Sequence, residues 1–480
     1  MNQIHLAQVL GLRSPASLQR IHNELLIYSI GPQPSAFDGV RSKQSSNIQH
    51  RTLSTEADQP IAHNSGTNCL AIDNNDGKFL VSGGADACIR LWDLEATDKE
   101  DIHHSAASIS RSSPGAHTHA ITAAKFWTFD PEPSTLISAS FDKSVKLTAI
   151  TPTSLESVHT FPLDHAPYTI ALSHIPSAHP LIAVGTQGTA LRLLDLRSGL
   201  GTHSLPGHNG GVYSIAWSPK YDYILASGAA DGRVVLFDIR RATAAFGSLD
   251  LDDAVGVVGD DIHTGVGARI SLDWNARAHA GAVTSVDWTA AGDKIVTAGH
   301  DNRIRVYDAA TGKNDLVHFG PRIRNGRVGP LNFLLSPSGC AQRGKEFLYW
   351  PNDDGKGDVY VHSLREGHLV NVLSTPGVQR TNTQQAKRDN IAELTSGGRI
   401  NDLAWRINAA SGRSMELYSA HGDGRIVCWA PTAHDEAESF ENDELNGNVP
   451  QLNEQEKAKK RKRDLVGDLV AGLSSKSMRV

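Results

Sequence analysis

The chain has 480 residues, with 46 Lys and Arg against 52 Asp and Glu and a formal charge of −6. So small a negative balance argues against a generic nucleic-acid binder, because phosphate affinity needs a cationic surface. Its four cysteines, Cys69, Cys88, Cys340 and Cys428, form no CxxC pair, so neither a disulfide framework nor a zinc site is implied.

No stretch approaches the ~18–20 uninterrupted apolar residues of a spanning helix, and residues 1–15 lack the order of a signal peptide. The expectation is a soluble protein without membrane contact. Residues 4–10 are apolar, Ser14 and Pro15 make a helix start, and Leu18, Ile21, Leu25 and Tyr28 follow at offsets of three, four and three. This predicts a helix-loop-helix over residues 1–30, either packed on its own domain or offering an amphipathic face to a partner's groove.

Repeats come next. Residues 78–95, 135–150, 223–240 and 293–312 each read as strand, Asp turn, strand. Asp86, Asp142, Asp231, Asp301 and Asp423 stand six residues before Trp92, Thr148, Phe237, Tyr307 and Trp429. Upstream, His63, His119 and His208 precede their Asp by 23 residues and His279 by 22, with a weaker copy from His165 through Gly188 to Leu194. These residues resemble the WD-repeat family, whose units each supply a four-stranded blade of a β-propeller. The resemblance implies an all-β, seven-bladed WD-repeat propeller over residues 61–431, with blades near 61–95, 117–151, 163–199, 205–241, 276–312, 328–366 and 398–431. It also implies a buried chain from Asp to His to a strand hydroxyl to the Trp indole. The hydroxyl is expected six residues after the His, at Ser214 and Ser285. On that count no blade holds all four members, and packing is expected to carry most of the stability.

Surplus length is assigned to insertions at 96–116, 242–275 and 375–397 and to a disordered tail at 432–480, acidic and then basic. The basic run Lys459, Lys460, Arg461, Lys462 and Arg463 fits nuclear import. Enzyme signatures are lacking: no P-loop, no GxSxG elbow and no HExxH pair. No catalytic residue, metal site or cofactor is expected.

Two blade ends carry an Arg two residues past the closing Asp: Arg197 after Asp195, and Arg240, followed by Arg241, after Asp238. Singly, each reads as a strand-end cation paired to that Asp. On adjacent blades they define a rim patch suited to an interface. Residues 218–226 and 238–242, with residues 138–143, 183–186 and 299–303, are similar to the Cockayne syndrome A group of WD-repeat proteins. That resemblance implies a non-catalytic substrate receptor of a nuclear cullin-4 RING ubiquitin ligase in transcription-coupled nucleotide excision repair. Its adaptor contacts, to the damaged-DNA-binding adaptor protein, would fall on Arg197, Arg240, Arg241, Leu18, Ile21 and Leu25. A repair ATPase and stalled RNA polymerase II would be clients, without direct sequence-specific nucleic-acid binding. The alternative is a scaffold for repair or chromatin factors. Leu194 and Phe237 depart from the group, where Trp is usual.

Overall fold

The computed structural model describes residues 26–39, 60–251, 257–258, 276–377, 399–407 and 415–431, apart from 99–100, 131, 174, 177–179, 242–244, 252–256, 327–328, 338–339 and 342–343. These residues form seven sheets, antiparallel but for one added parallel strand, arranged as the blades of a β-propeller. Each blade starts with an inner strand: Thr67–Ile72, Ile121–Phe126, Pro167–Leu172, Val212–Trp217, Val283–Trp288, Leu334–Leu335 and Ile400–Arg406. Together the inner strands line a central cavity of about 860 Å³. Inner strands begin on one face of the disc, here the upper face, where the second and third strands also turn. Third strands end on the lower face.

Burial explains the composition of the strands. Second strands such as Phe79–Gly84 are buried along their whole length, so they read as runs of apolar and small residues rather than as an alternation. Glycine serves where blades wedge together: a Cβ at Gly228 would lie 2.5 Å from Val283 on the next blade's inner strand. Inner-strand tryptophans stitch neighbours together. The Trp217 and Trp288 Nε1–H groups donate to the Ala171 and Ala216 carbonyls of the preceding blade at 3.1 and 3.3 Å.

The core is a set of apolar clusters, each shared by two neighbouring blades. The last joins Leu70, Leu80 and Trp92 of the first blade to Tyr418, Ala420 and Cys428 of the seventh, which closes the ring. An N-terminal segment spans that seam. Ile30–Pro32 pairs antiparallel with Ile426–Pro431 as the fourth strand of blade seven, and Ala36–Asp38 pairs parallel with Ile102–Ile109 of blade one. Between them Phe37, buried, packs edge-on to Trp92 at 5.2 Å and stacks on His103 at 4.8 Å. At the same seam Arg406 pairs with Glu416 of its own blade at 2.9 Å and donates from Nε across to the Gly77 carbonyl of blade one.

The expected insertions are redrawn. Ile102–Ile109 and Ala245–Ser248 are the fourth strands of blades one and four, inside stretches read as surface loops. Outer strands bury only one face against the sheet, so Ile102–Ile109, rich in His and Ser, carries little apolar alternation. Blade five holds three strands among the described residues. Of the expected helical leader, one turn at residues 26–28 is described; Ile27 is buried between blades six and seven. Leu18, Ile21 and Leu25 lie outside the described residues, as do Lys459, Lys460, Arg461, Lys462, Arg463 and the rest of residues 432–480.

Candidate interaction site on the lower rim

The blade networks fix the loops on which surface residues stand. In blade one Asp86 can only accept, so the His63 Nδ1–H donates to it at 3.0 Å. That leaves Nε2 to accept from the Ser82 hydroxyl at 2.8 Å, and Ser82 in turn accepts from the Trp92 indole at 2.9 Å. Burial holds His63 below its usual pKa and would raise that of Asp86, but the hydrogen bond from His63 prevails and holds the carboxylate well below its usual range. Blade four has His208 at 2.6 Å from Ser227 and 3.4 Å from Asp231. In blade five His279 lies 2.8 Å from Thr297 and 2.9 Å from Asp301.

Three sequence expectations are corrected here. The hydroxyl belongs to the second strand, not to the inner strand six residues after the His. Only the second strand lies between the His loop and the third-strand Trp. Blade one therefore holds all four members. Ser214 instead ties blade four to blade five, donating to the Val286 carbonyl at 3.3 Å and accepting its N–H at 3.0 Å, while Ser285 is buried on its inner strand beside the cavity. Second, the blade-two histidine is His117, whose Nδ1–H donates to Asp142 at 2.8 Å while Ser138 meets Nε2 at 2.9 Å. His119 is exposed, and its ring meets the Thr118 hydroxyl instead of an Asp. The longer spacing is held by Lys146, which donates to the Gly115 and Ala116 carbonyls. Third, blade seven draws its histidine from its own second strand. The His421 Nε2 meets Ser419 at 2.8 Å, Ser419 accepts from Trp429 at 2.9 Å, and Asp423 pairs with Arg425 instead.

On the lower rim, Asp195 and Asp238 end the third strands of blades three and four at matching positions, opposite Leu181 and Ile224. Each carboxylate accepts the backbone N–H of the Arg two residues on, Arg197 at 2.9 Å and Arg240 at 3.0 Å. Arg197 is exposed. The Arg240 side chain, 59% exposed, folds back to give Asp238 two hydrogen bonds, from Nε at 3.0 Å and Nη2 at 2.9 Å. Its guanidinium lies 3.3 Å from the centre of the Tyr223 ring. Burial would raise the Asp238 pKa, but the Arg240 hydrogen bonds lower it; those same bonds raise the pKa of Arg240. Arg241 is 3.4 Å from Asp238 and 5.8 Å above Phe246, and Lys220 sits 5.3 Å over Tyr221. The pairing reading holds for Arg240, yet it leaves a preorganised cationic and aromatic plate facing solvent. Leu194 and Phe237 are buried, so their departure from Trp alters the core and not this surface. Sequence reasoning missed Tyr221, Tyr223 and Phe246 as rim residues. The first two lie within the distinctive 218–226 string, but no periodicity marks them.

Comparison with known proteins agrees with this architecture. The model for the WD domain, G-beta repeat matches residues 56–93, 110–148, 200–238 and 273–308, which fall in blades one, two, four and five. The chain carries WD repeats and folds as a seven-bladed propeller. More particularly, it is 29% identical over 371 residues to the WD repeat-containing protein ATCSA-1 of Arabidopsis thaliana, covering 64% of this chain and 81% of that one. It is also 30% identical over 279 residues to the ribosome biogenesis protein ytm1 of Neosartorya fischeri, and 31% identical over 279 residues to that of Aspergillus clavatus. In both cases it spans about half the length of the relative: 51% of this chain and 52% of the other. These names speak of WD repeats and ribosome biogenesis, and none of a cullin-4 ligase or of DNA repair.

Proposed function

We propose that this chain is a non-catalytic substrate receptor of a nuclear cullin-4 RING ubiquitin ligase, acting in transcription-coupled nucleotide excision repair. The observation that carries the reading is the lower rim. Two Asp-x-Arg ends occupy matching positions on adjacent blades, and at one of them Arg240 is held flat between Asp238 and Tyr223 with most of its side chain in solvent. A guanidinium immobilised in this way loses little entropy on docking, and exposed Arg beside Tyr is typical of interface hot spots. The rim and the helices of residues 1–30 would take the damaged-DNA-binding adaptor protein, and the upper face a client such as the repair ATPase or stalled RNA polymerase II. The basic run at 459–463 would carry nuclear import. The receptor's part in the mechanism is to raise the effective concentration of client and ligase, while other subunits perform the transfer.

Affinity purification tests this. Wild type should recover the adaptor and cullin, and both should be lost with Arg197→Glu/Arg240→Glu or on deletion of residues 1–25. Recovery of no ligase subunit under gentle conditions would overturn it. The ytm1 relatives favour a second reading, a scaffold in ribosome biogenesis, and a third is a scaffold for repair or chromatin factors. Either would recover assembly partners without a cullin.

A further inference from the structure

In six blades the pairing of inner with second strand slips by one residue at the same place. The shifts fall at Thr67/Cys69, Ile121/Ala123, Pro167/Thr169, Val212/Ser214, Val283/Ser285 and Ile400/Asp402. Such a bulge leaves one residue unpaired and re-aims its side chain. The residues so placed are Asn68, Thr122, Tyr168, Tyr213, Thr284 and Asn401, all near the upper mouth of the cavity.

Three of them serve the ring itself. Asn68 and Asn401 donate from Nδ2 to the Ile121 and Thr67 carbonyls of the next blade at 2.8 and 2.6 Å. Thr284 donates to the Ala298 carbonyl at 3.2 Å and accepts from Asn325 at 2.8 Å. Blades three and four place tyrosines at this position, and neither phenol hydroxyl has a hydrogen-bond partner among the described residues. Their rings meet edge to face at 5.2 Å, and Phe141, 45% exposed on the blade-two turn, meets Tyr168 at 6.1 Å. An aromatic ledge thus crosses three consecutive blades without contributing to ring closure.

The charges around it are uneven. Lys143, on the same turn as Phe141, is exposed, and Lys125 reaches into the cavity below with no ion pair among the described residues. The nearby carboxylates are engaged: Asp142 by His117 and Ser144, Asp231 by His208, and Asp402, deeper in, by the Leu70 N–H. Asp287 lines the cavity at the level of Lys125, in the matching position of its own inner strand, and Lys125 acts electrostatically on both Asp287 and Asp402. The free charge at the ledge itself is therefore that of Lys143, a cation.

We propose that the Phe141, Tyr168 and Tyr213 ledge docks an extended acidic segment of a partner protein, seating one apolar side chain on the rings and a carboxylate against Lys143. Tyrosine suits the task because a rigid amphipathic ring binds at small entropic loss and its free hydroxyl can meet peptide backbone. The site is on the face opposite Arg240, where the proposed function seats the client, and it deepens that part of the reading; peptide binding and adaptor recovery are read by separate assays, so either can fail without the other.

The test uses the full chain and a random dodecapeptide library displayed on phage, counter-selected against Tyr168→Ala/Tyr213→Ala. Peptides removed by the counter-selection should be acidic with a single aromatic or aliphatic anchor. A fluorescein-labelled member should bind the double variant about tenfold more weakly than wild type and Phe141→Ala similarly. Lys143→Glu, at an exposed turn where folding is not at stake, should weaken it by about threefold to fivefold. Arg240→Glu should leave it unchanged, and Tyr168→Phe/Tyr213→Phe should retain most of the binding through the rings. Enrichment of basic or neutral peptides, indifference to Lys143→Glu, or no peptide sensitive to the tyrosines would overturn the proposal.

Discussion

Replacing Ser82 with alanine removes the hydroxyl on which the blade-one network turns. Ser82 is fully buried between Trp92 and His63, with both contacts under 3 Å. The substitution strands the indole N–H and the imidazole lone pair in the interior, and each stranded group costs about 1–3 kcal/mol. The same change at Ser227 strands His208 alone, since Phe237 stands where blade one has Trp and offers no N–H. Expected losses are therefore about 2–5 kcal/mol for Ser82→Ala and about 1–3 kcal/mol for Ser227→Ala. With unfolding entropy near 2.1 cal/mol/K per residue, a propeller of this size shifts by roughly 1 °C per kcal/mol. Scanning calorimetry should show Tm falling by about 2–5 °C in the first variant and by about half as much in the second. Equal losses would refute the assignment of the fourth member to Trp92, and a larger loss at Ser227 would refute the network argument altogether.

Other perturbations follow from the same geometry. His421 is buried with Nδ1 unpaired, and burial pushes its pKa down to about 4 from 6.5; His63 and His279 are lowered for the same reason. The unfolded chain takes up protons near pH 6.5 that the folded chain refuses, so stability is full above that pH and falls toward pH 4, by about 3 kcal/mol from His421 alone. A Tm profile over that window should slope downward, and His421→Gln should flatten it. Phe37→Ala empties a buried site between blade one and blade seven and should cost about 3–5 kcal/mol, read as a drop in Tm. Gly299→Ala would place a Cβ 2.4 Å from the His279 ring, expelling the imidazole. A loss of about 2–4 kcal/mol and lower soluble yield are expected, against about 1–2 kcal/mol for Gly320→Ala, where a Cβ meets nothing within 4 Å and only the positive φ is penalised.

Much of the architecture was legible in the sequence, because a blade's two central strands are buried on both faces and its turn requires Asp at a fixed distance from an aromatic. Outer strands were not, since Ile102–Ile109 is mostly half-buried and rich in His and Ser, and Ala245–Ser248 is short and built of small residues beside one Phe, so neither follows a strong alternation. The His117 network escaped for a different reason. Two histidines stood two residues apart, and spacing alone favoured His119, while the loop carbonyls held by Lys146 decide for His117. The misplaced hydroxyl came from counting along the chain where the relevant neighbour lies across the sheet: Ser82 and Trp92 are register partners of Arg90 and Leu80 on adjacent strands. At the lower rim Arg197 and Arg240 could be picked out by repeat position, but the Tyr223 ring beneath Arg240 belongs to the segment entering the second strand and becomes its neighbour only on folding.

The N-terminal strap also sets an order of events during synthesis. Ile30–Pro32 has its partner in Ile426–Pro431, roughly 400 residues later. At ~5–20 residues per second a ribosome needs ~20–80 s to deliver that partner. Throughout that interval Leu70 and Leu80 lack the blade-seven side chains that cover them, and the strap presents an unsatisfied strand edge to its surroundings. Assembly therefore ends with one long-range closure that joins the earliest and latest parts of the propeller, and a chain cut short before Tyr418 leaves its first blade uncovered as well as its last unfinished.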